Sequence, residues 1–250
     1  WVASVDTSSD VSIDHEILAR TSDAYRRFRN TLRFLLSELE GQFEPETDGV
    51  AFADLLPLDK LMVARLTQVQ AEVDDAYASY EFPRAYRALY DFVVTELSNV
   101  YLDALKDRLY CEKPGSLERR SAQTALYLIL DSMTKMFAPI LAFTCDEIWL
   151  AMPHRSCDDA RNVLFNEMVL PYNGYALSED EMARWARIAA LRTAVNGALE
   201  TARADKTIGK SLEAEVDLTV TAEDAFLTDM DAADLADLLI VSQVRVEVGA

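Results

Sequence analysis

Apolar residues recur at spacings of three and four along most of the first 150 positions, which is the pattern of helices that bury one face. The stretch 14–40 shows this pattern first. Its apolar residues share one helical face, and they are Tyr25, Phe28, Leu32, Leu35, Leu36 and Leu39. Gly41 and Pro45 predict the end of this helix. The following stretch, 44–59, holds five acids and no base, so we predict an exposed loop there.

Four more helices are predicted before position 153, over residues 58–80, 83–110, 117–137 and 140–152. Pro83 suits a first helical turn because its missing amide proton would have no partner there. The turn 113–116 contains Pro and Gly, and Ser116 is a good N-cap for the helix that follows. Long helices joined by short turns predict an antiparallel bundle.

The apolar faces of these helices define the expected core. Its aliphatic members are Leu32, Leu36, Leu89, Val93, Leu97 and Leu126. We also expect Phe137, Phe143 and Trp149 near the core, and Trp185 near the junction with the unit that follows.

The pattern changes after Pro171. A helix over 178–204 leads into a polar turn, and 214–221 then alternates apolar and polar residues as a strand does. A short acidic helix follows, and 239–248 alternates again. The predicted fold class is therefore mainly α, an antiparallel helical bundle followed by a small α/β unit.

Composition narrows the class of protein. Half of the residues are hydrophobic and only seven are Gly and seven Pro, so the chain is globular and not disordered. No apolar run approaches the ~20 residues that a membrane span requires, and the first residues lack a signal peptide. A chain that opens at Trp1 without Met predicts a piece of a longer protein. Three cysteines without a CxxC pair predict reduced thiols in a cytoplasmic protein and no zinc ribbon.

Residue patterns that carry catalysis are missing from the sequence. It has no glycine-rich phosphate loop, no nucleophile signature and no metal-ligand spacing. His15 and His154 stand alone and read as surface or capping residues. The neighbouring acids at 146–147 and 158–159 point about 100° apart on a helix, so they make poor acid–base pairs. We expect no catalytic residue, no metal and no activity from this chain alone.

Basic residues gather in one stretch of a chain whose formal net charge is -19. A polyanion must bind where bases collect, because the global field of an acidic chain repels it. The stretch 101–124 interleaves two tyrosines, Tyr101 and Tyr110, with the bases Lys106, Arg108, Lys113, Arg119 and Arg120. The alternative is an ordinary hairpin whose bases pair with nearby acids, which are Asp103, Asp107, Glu112 and Glu118.

Two further basic groups are apparent. Arg26, Arg29 and Arg33 lie on one flank of the first helix and suit either phosphates or the acids of a neighbouring domain. The turn 203–210 has three bases, and Gly209 there would let the backbone approach a ligand closely. By contrast, 213–237 contains nine acids and no base, so we expect that surface to face away from nucleic acid.

Several strings together resemble the C-terminal part of bacterial isoleucyl-tRNA synthetases, members of the class I synthetase family. They are YRRFRNTLRFLL, YLDALKDRLY, RRSAQTALY, MFAPILAFTCDEIW and ARADKTIGKSLEA, in this order and spacing. The opening WVAS resembles the segment after the KMSKS catalytic loop of that family. Strings like the fourth also occur in valyl and leucyl enzymes, so those relatives remain an alternative.

The resemblance implies a domain organisation and a function. Residues 1–13 would link to a catalytic domain, 14–175 would form the helical anticodon-binding domain, and 176–250 the small α/β unit. The whole enzyme would attach isoleucine to its tRNA with ATP and Mg²⁺. The HIGH and KMSKS motifs and the Cys-rich zinc module of many bacterial members do not occur in these residues, so no cofactor is expected here. The expected partners are the isoleucine tRNA and the catalytic domain of the same polypeptide, in a monomer without membrane contact.

The resemblance also suggests roles for the basic residues. Lys106, Arg108, Arg119 and Arg120 would hold anticodon-stem phosphates, and Tyr110 would stack on a loop base. Arg203, Lys206 and Lys210 are secondary candidates for tRNA binding. The ridge of Arg26, Arg29 and Arg33 would contact either the tRNA or the catalytic domain. The rival functions are a helical protein-interaction scaffold without an RNA role and a freestanding enzyme.

Overall fold

The computed structural model describes residues 1–8 and 10–249. Its internal contacts divide the chain into two compact units, Trp1–Leu177 and Ser178–Ala250. The first unit is helical, and the second combines helices with a small sheet. The predicted fold class is confirmed.

The first unit consists of helices that run along one core. They are α1 (His15–Ser37), α2 (Pro57–Ala78), α3 (Phe82–Asp91), α4 (Leu102–Ala104), α5 (Lys106–Tyr110), α6 (Leu117–Phe137) and α7 (Ala142–Ala151). Asp14 caps α1 by accepting the Ile17 amide proton at 2.7 Å. Ser116 caps α6 as predicted, accepting the amide proton of Arg119 at 3.3 Å. Capping side chains satisfy amide groups that a helix start leaves without partners.

Side-chain contacts give the relative directions of the three longest helices of this unit. The Phe28 ring of α1 lies 3.9 Å from the Phe137 ring at the end of α6. At the other end of this pair, Gln123 donates a 3.0 Å hydrogen bond to the Glu38 carbonyl, so α1 and α6 are antiparallel. Tyr77 at the end of α2 bonds the carbonyl of Met136 near the end of α6, so α2 runs parallel to α6.

The core of this unit contains most of the predicted residues. Trp149 and Phe137 are buried, and so are five of the six predicted aliphatic residues, while Leu36 is half-buried. The prediction for Phe143 is wrong, because this side chain is 94% exposed. On α7 the buried face is formed by Cys145, Ile148 and Trp149. Two residues along a helix rotate a side chain by about 200°, so Phe143 points away from Cys145.

The predicted exposed loop 44–59 is exposed only in part. Leu55 is buried within it, and Asp59 is completely buried. The reason is that α2 begins at Pro57, so Asp59 belongs to its first turn and faces the interior. A count of acids indicates loops on average but cannot show which acid turns inward.

The predicted helix 83–110 is interrupted. A π-helical segment, Phe92–Tyr101, follows α3, and a turn at Leu105 separates α4 from α5. A π-turn adds a residue to each turn, so it changes the face that the following residues present. The apolar spacing cannot distinguish this segment from α-helix, because three- and four-residue steps occur in both.

The second unit has a small core of its own. It contains α8 (Glu179–Ala204), β1 (Glu215–Val220), α9 (Ala232–Leu239) and β2 (Gln243–Val248). The strands are parallel, with Glu215 opposite Gln243 and Val220 opposite Val248. The buried residues are Ile188, Val195, Leu199, Ala214, Leu218, Val220, Leu227, Leu235, Ala236, Leu238, Leu239, Val241 and Val244. Trp185 is half-buried in α8, and its predicted place at the junction stays a prediction.

Candidate nucleic-acid interface

Arg119 and Arg120, in the first turn of α6, reach across to the end of α1. The guanidinium of Arg119 donates to Gln42 Oε1 at 2.6 Å and to the Glu112 carbonyl at 3.3 Å. Arg120 donates to the Gln42 carbonyl at 2.7 Å and forms an ion pair with Asp48 at 3.1 Å. The fold therefore fixes both arginines.

Tyr110 closes α5 beside these arginines. It is 60% exposed, and its hydroxyl donates to Glu38 Oε1 at 3.1 Å. Desolvation, together with the bond to Glu38, raises the pKa of Tyr110 above 10.0, so the phenol stays neutral. The hydroxyl is tethered while the ring remains open, which is the arrangement that a stacking platform needs.

Two lysines flank the tyrosine. Lys106 lies one helical turn before Tyr110 on the same face of α5, and its Nζ pairs with Asp103 at 2.5 Å. Lys113 lies in the exposed turn between α5 and α6. Within residues 1–8 and 10–249, neither Lys113 nor Arg119 has a carboxylate within ion-pair distance. We define the α5–α6 basic surface as Lys106, Tyr110, Lys113, Arg119 and Arg120.

Arg108 departs from the sequence prediction, because it does not join this surface. Its side chain is only 16% exposed and pairs with the buried carboxylate of Asp59. It also donates to the Glu118 carbonyl at 3.1 Å. Residues of α5 that are two apart cannot share a face, so Arg108 turns inward where Lys106 and Tyr110 turn outward.

The alternative interpretation, a hairpin whose bases pair with its own acids, agrees with the structure only in part. Lys106 pairs with Asp103 as that alternative predicts. The arginines instead make their contacts with the segment after α1, through Gln42 and Asp48. These contacts fix the positions of both arginines, and Arg120 keeps 20% of its side chain exposed.

The basic turn of the second unit contains its own counter-charges. Arg203 bonds Glu200 and Ser211, whereas Lys206 and Lys210 are exposed. The predicted approach of a ligand to Gly209 meets an obstacle, because its amide donates to Glu213 Oε2 at 2.8 Å. Amide protons of the turn lower the pKa of Glu213 below 4.5, so this carboxylate stays charged beside the two lysines.

The ridge on α1 has only one partnered member. Arg26 pairs with Asp23 at 2.8 Å. Arg29 is half-buried and Arg33 is exposed, and in the described part of the chain neither forms an ion pair. The first unit therefore carries a second cationic strip.

Several residues that build the interface were not predicted from the sequence. Glu38 and Gln42 at the end of α1 hold Tyr110 and Arg119, and Asp59 holds Arg108. A signal for Asp59 was available, because it occupies the same helical face as the buried Met62, Val63 and Leu66. A carboxylate on an apolar face indicates a buried partner.

The described residues offer neither a metal-ion cluster nor a membrane-spanning helix. They hold no cluster of His, Cys, Asp or Glu suited to a metal ion, and no helix there is long and apolar enough to cross a membrane. The cysteines Cys111, Cys145 and Cys157 are free thiols.

Comparison with known proteins agrees with this architecture. The sequence model of one protein family, the anticodon-binding domain of tRNA ligases, matches residues 59–218. The chain belongs to this family.

Curated isoleucine–tRNA ligases are similar to this chain along almost its entire length. The isoleucine–tRNA ligase of Alkalilimnicola ehrlichii is 43% identical over 249 residues, which is 99% of this chain and 26% of that protein. The isoleucine–tRNA ligases of Syntrophotalea carbinolica and Staphylococcus carnosus are both 44% identical, over 98% and 99% of this chain and 26% of each relative. The resemblance to isoleucyl-tRNA synthetases is confirmed, and the chain spans about a quarter of the length of these relatives.

Proposed function

We propose that this chain binds the anticodon stem-loop of a tRNA as the RNA-binding part of an isoleucine–tRNA ligase. The observation that carries the proposal is the open ring of Tyr110 framed by Lys106, Lys113 and Arg119. The membership in the anticodon-binding family and the names of the relatives support it.

The two kinds of side chain on the α5–α6 basic surface suit two parts of an RNA. Guanidinium and ammonium groups bind phosphates, which position the nucleic acid without reading its sequence. The flat ring of Tyr110 suits a loop base that is free to leave the stack. Arg119 is the main phosphate candidate because it is fixed by Gln42 but lacks a carboxylate partner.

The remaining basic residues divide by their contacts. Arg29 and Arg33 are proposed as a second contact, with the tRNA or with the catalytic domain, and Arg26 shares that ridge while paired with Asp23. Lys206 and Lys210 are kept as secondary tRNA contacts. Arg203, which pairs with Glu200 at the surface, is kept with them as a secondary candidate. Arg108 is enclosed with the buried Asp59 and is not proposed as an RNA contact.

The rest of the reaction belongs elsewhere in the proposed enzyme. ATP and Mg²⁺ would bind a catalytic domain of the same polypeptide, to which residues 1–13 would lead. We propose residues 14–175 as the anticodon-binding domain, 176–250 as its appendix, and a cytoplasmic monomer as the assembly. The chain alone is then inactive, and isoleucine-dependent pyrophosphate exchange above background would contradict this.

Binding to an isoleucine-tRNA anticodon stem-loop, titrated against salt, tests the proposal. Arg119→Ala should weaken binding to cognate and non-cognate loops alike. It should also reduce the slope of log affinity against log salt by about 0.7 to 0.9, because one phosphate contact is lost. Arg161→Ala is the matched control, since it removes the same charge from an exposed arginine of the same unit.

The same titration tests the stacking role separately. Tyr110→Ala should cost ~1–3 kcal/mol with little change of slope, while Tyr110→Phe keeps the ring and most of the affinity. Tyr80→Ala is the control, because Tyr80 is exposed at the opposite end of the bundle. An unchanged slope in Arg119→Ala together with unchanged affinity in Tyr110→Ala would favour a scaffold without an RNA role.

A further inference from the structure

A completely buried carboxylate lies beneath the α5–α6 basic surface. Asp59 Oδ1 accepts the hydroxyl proton of Tyr101 at 2.6 Å, and Oδ2 accepts that of Ser121 at 2.5 Å. The Arg108 guanidinium also bonds Oδ2. A buried charge is costly unless it is paired and hydrogen-bonded, and both oxygens of Asp59 meet this requirement.

These bonds join segments that are distant in the sequence. Asp59 belongs to the first turn of α2, Tyr101 ends the π-helical segment and Ser121 lies in the second turn of α6. Ser121 Oγ also accepts the amide proton of Leu56 at 2.8 Å. Arg108 of α5 is therefore attached to α2 through Asp59 and to α6 through the Glu118 carbonyl.

The element that depends on this attachment is short. The five residues of α5 follow a turn at Leu105 and precede the exposed turn of Lys113. A helix of this length has little stability of its own, so tertiary contacts set its orientation. These contacts include the buried side chain of Leu109, the pair of Arg108 with Asp59, and the bond of Tyr110 to Glu38.

We propose that Asp59 is a positioning residue for RNA binding: through Arg108 it orients α5 so that Tyr110 and Lys106 face the ligand. This inference rests on the function proposed above. Stability alone does not account for such a pair, because buried ion pairs are often no more stabilising than apolar residues of similar volume. Orientation is what the pair adds, since it joins α5 to α2, whereas the hydroxyl of Tyr110 bonds Glu38 after α1.

A double-mutant cycle between Asp59 and Tyr110 tests this inference with the 250-residue chain. Asp59→Asn keeps the shape of the side chain but removes the charge that holds Arg108. In the wild type Tyr110→Ala should weaken stem-loop binding by about 10-fold or more. In the Asp59→Asn background the same change should cost less than about 2-fold, because interacting residues do not act additively.

Asp131→Asn is the matched control. Asp131 is another buried carboxylate that pairs with Lys135 and Arg155 in the same unit, and its loss should leave the Tyr110→Ala penalty intact. If Asp59→Asn does not fold, Asp59→Asn with Arg108→Met takes its place, because that variant leaves no unpaired buried charge.

Amide hydrogen exchange without RNA gives a second readout, in which residues 105–111 should lose protection in Asp59→Asn and keep it in Asp131→Asn. A Tyr110→Ala penalty that is equal in the wild type and in Asp59→Asn would overturn the positioning role and leave the proposed function standing. No Tyr110→Ala penalty in the wild type would overturn both, and faster exchange confined to 105–111 would then show a purely structural clamp.

Discussion

The two units treat charged residues in different ways. In the first unit the carboxylates of Asp59 and Asp131 lie inside the core with their cationic partners. In the second unit the ion pairs of Arg187 and Arg245 are partly or largely exposed. A larger core can enclose a charged network and satisfy it, whereas a small one leaves its charges in water.

The difference bears on where a binding surface can be held in place. Interactions in a low-dielectric interior are stronger than those at the surface, so a network such as that of Asp59 fixes the elements it joins. Exposed ion pairs contribute little to stability and are screened by salt. The α5–α6 basic surface is next to a buried network, that of Asp59 and Arg108. The turn 203–210 has only an exposed ion pair, that of Arg203 and Glu200.

The comparison of the two cores can be tested by substitutions, and the largest loss of stability is expected at Trp149 in the first unit. Its side chain is fully buried, and its Nε1 donates to the Asp159 carbonyl at 3.0 Å. Trp149→Ala removes a large aromatic group from a packed core, so the free energy of unfolding should fall by about 3–5 kcal/mol. Urea unfolding followed by circular dichroism measures this change.

Phe143→Ala is the control on the same helix. Its ring is almost entirely exposed, so its removal should change the free energy of unfolding by no more than about 0.5 kcal/mol. Equal losses in the two variants would mean that α7 does not bury the face formed by Cys145, Ile148 and Trp149.

A smaller loss is expected from the core of the second unit. Leu235 is buried in α9, and Leu235→Ala should cost about 2–3 kcal/mol, because a small core relaxes more readily around a cavity. Hydrogen exchange resolved along 178–249 measures this loss locally. Leu212→Ala, at an exposed leucine of the same unit, should leave protection unchanged, and a loss at Leu235 larger than that at Trp149 would reverse the comparison.

Helix positions were predictable because they depend on local information. Residues 117–137 were predicted as a helix, and α6 has these bounds. The Pro and Gly before it, its Ser116 cap and its apolar spacing all lie within one short window. The alternating strands of the second unit were predictable for the same reason, and β1 and β2 lie inside the predicted ranges.

The direction of individual side chains was less predictable, since it depends on contacts distant in the sequence. Phe143 was predicted in the core from its apolar side chain alone, although its neighbours one helical turn on, Asp146 and Glu147, indicate an exposed face. Arg108 looks like its neighbour Lys106 in the sequence, and only the distant Asp59 distinguishes them. The candidate interface was therefore located by its basic composition, but the sequence did not show which bases the fold turns inward.

The smallest effect concerns two carboxyl groups that should titrate in opposite directions. In the first unit, burial raises the pKa of Asp131 above its ordinary 3.8, and Lys135 and Arg155 offset this only in part. In the second unit, a hydrogen bond from Arg187 lowers the pKa of the half-buried Asp224 below 3.8. Carboxyl carbon resonances followed by NMR through an acid titration measure both values.

The two shifts have opposite consequences for stability. Asp224 stabilises the folded state at pH values above its pKa in the unfolded chain. This contribution to the free energy of unfolding is lost as the pH falls through its pKa in the folded state. The folded state holds the proton of Asp131 more tightly than the unfolded state does. The contribution of Asp131 to the free energy of unfolding therefore declines as the pH rises from its pKa in the unfolded chain to its pKa in the folded chain. Arg187→Gln should return the pKa of Asp224 towards 3.8, and Lys135→Met should raise that of Asp131 further. A pKa of Asp131 below 3.8 in the wild type would show that its cationic partners outweigh its burial, and the contrast between the two units would then not extend to their acids.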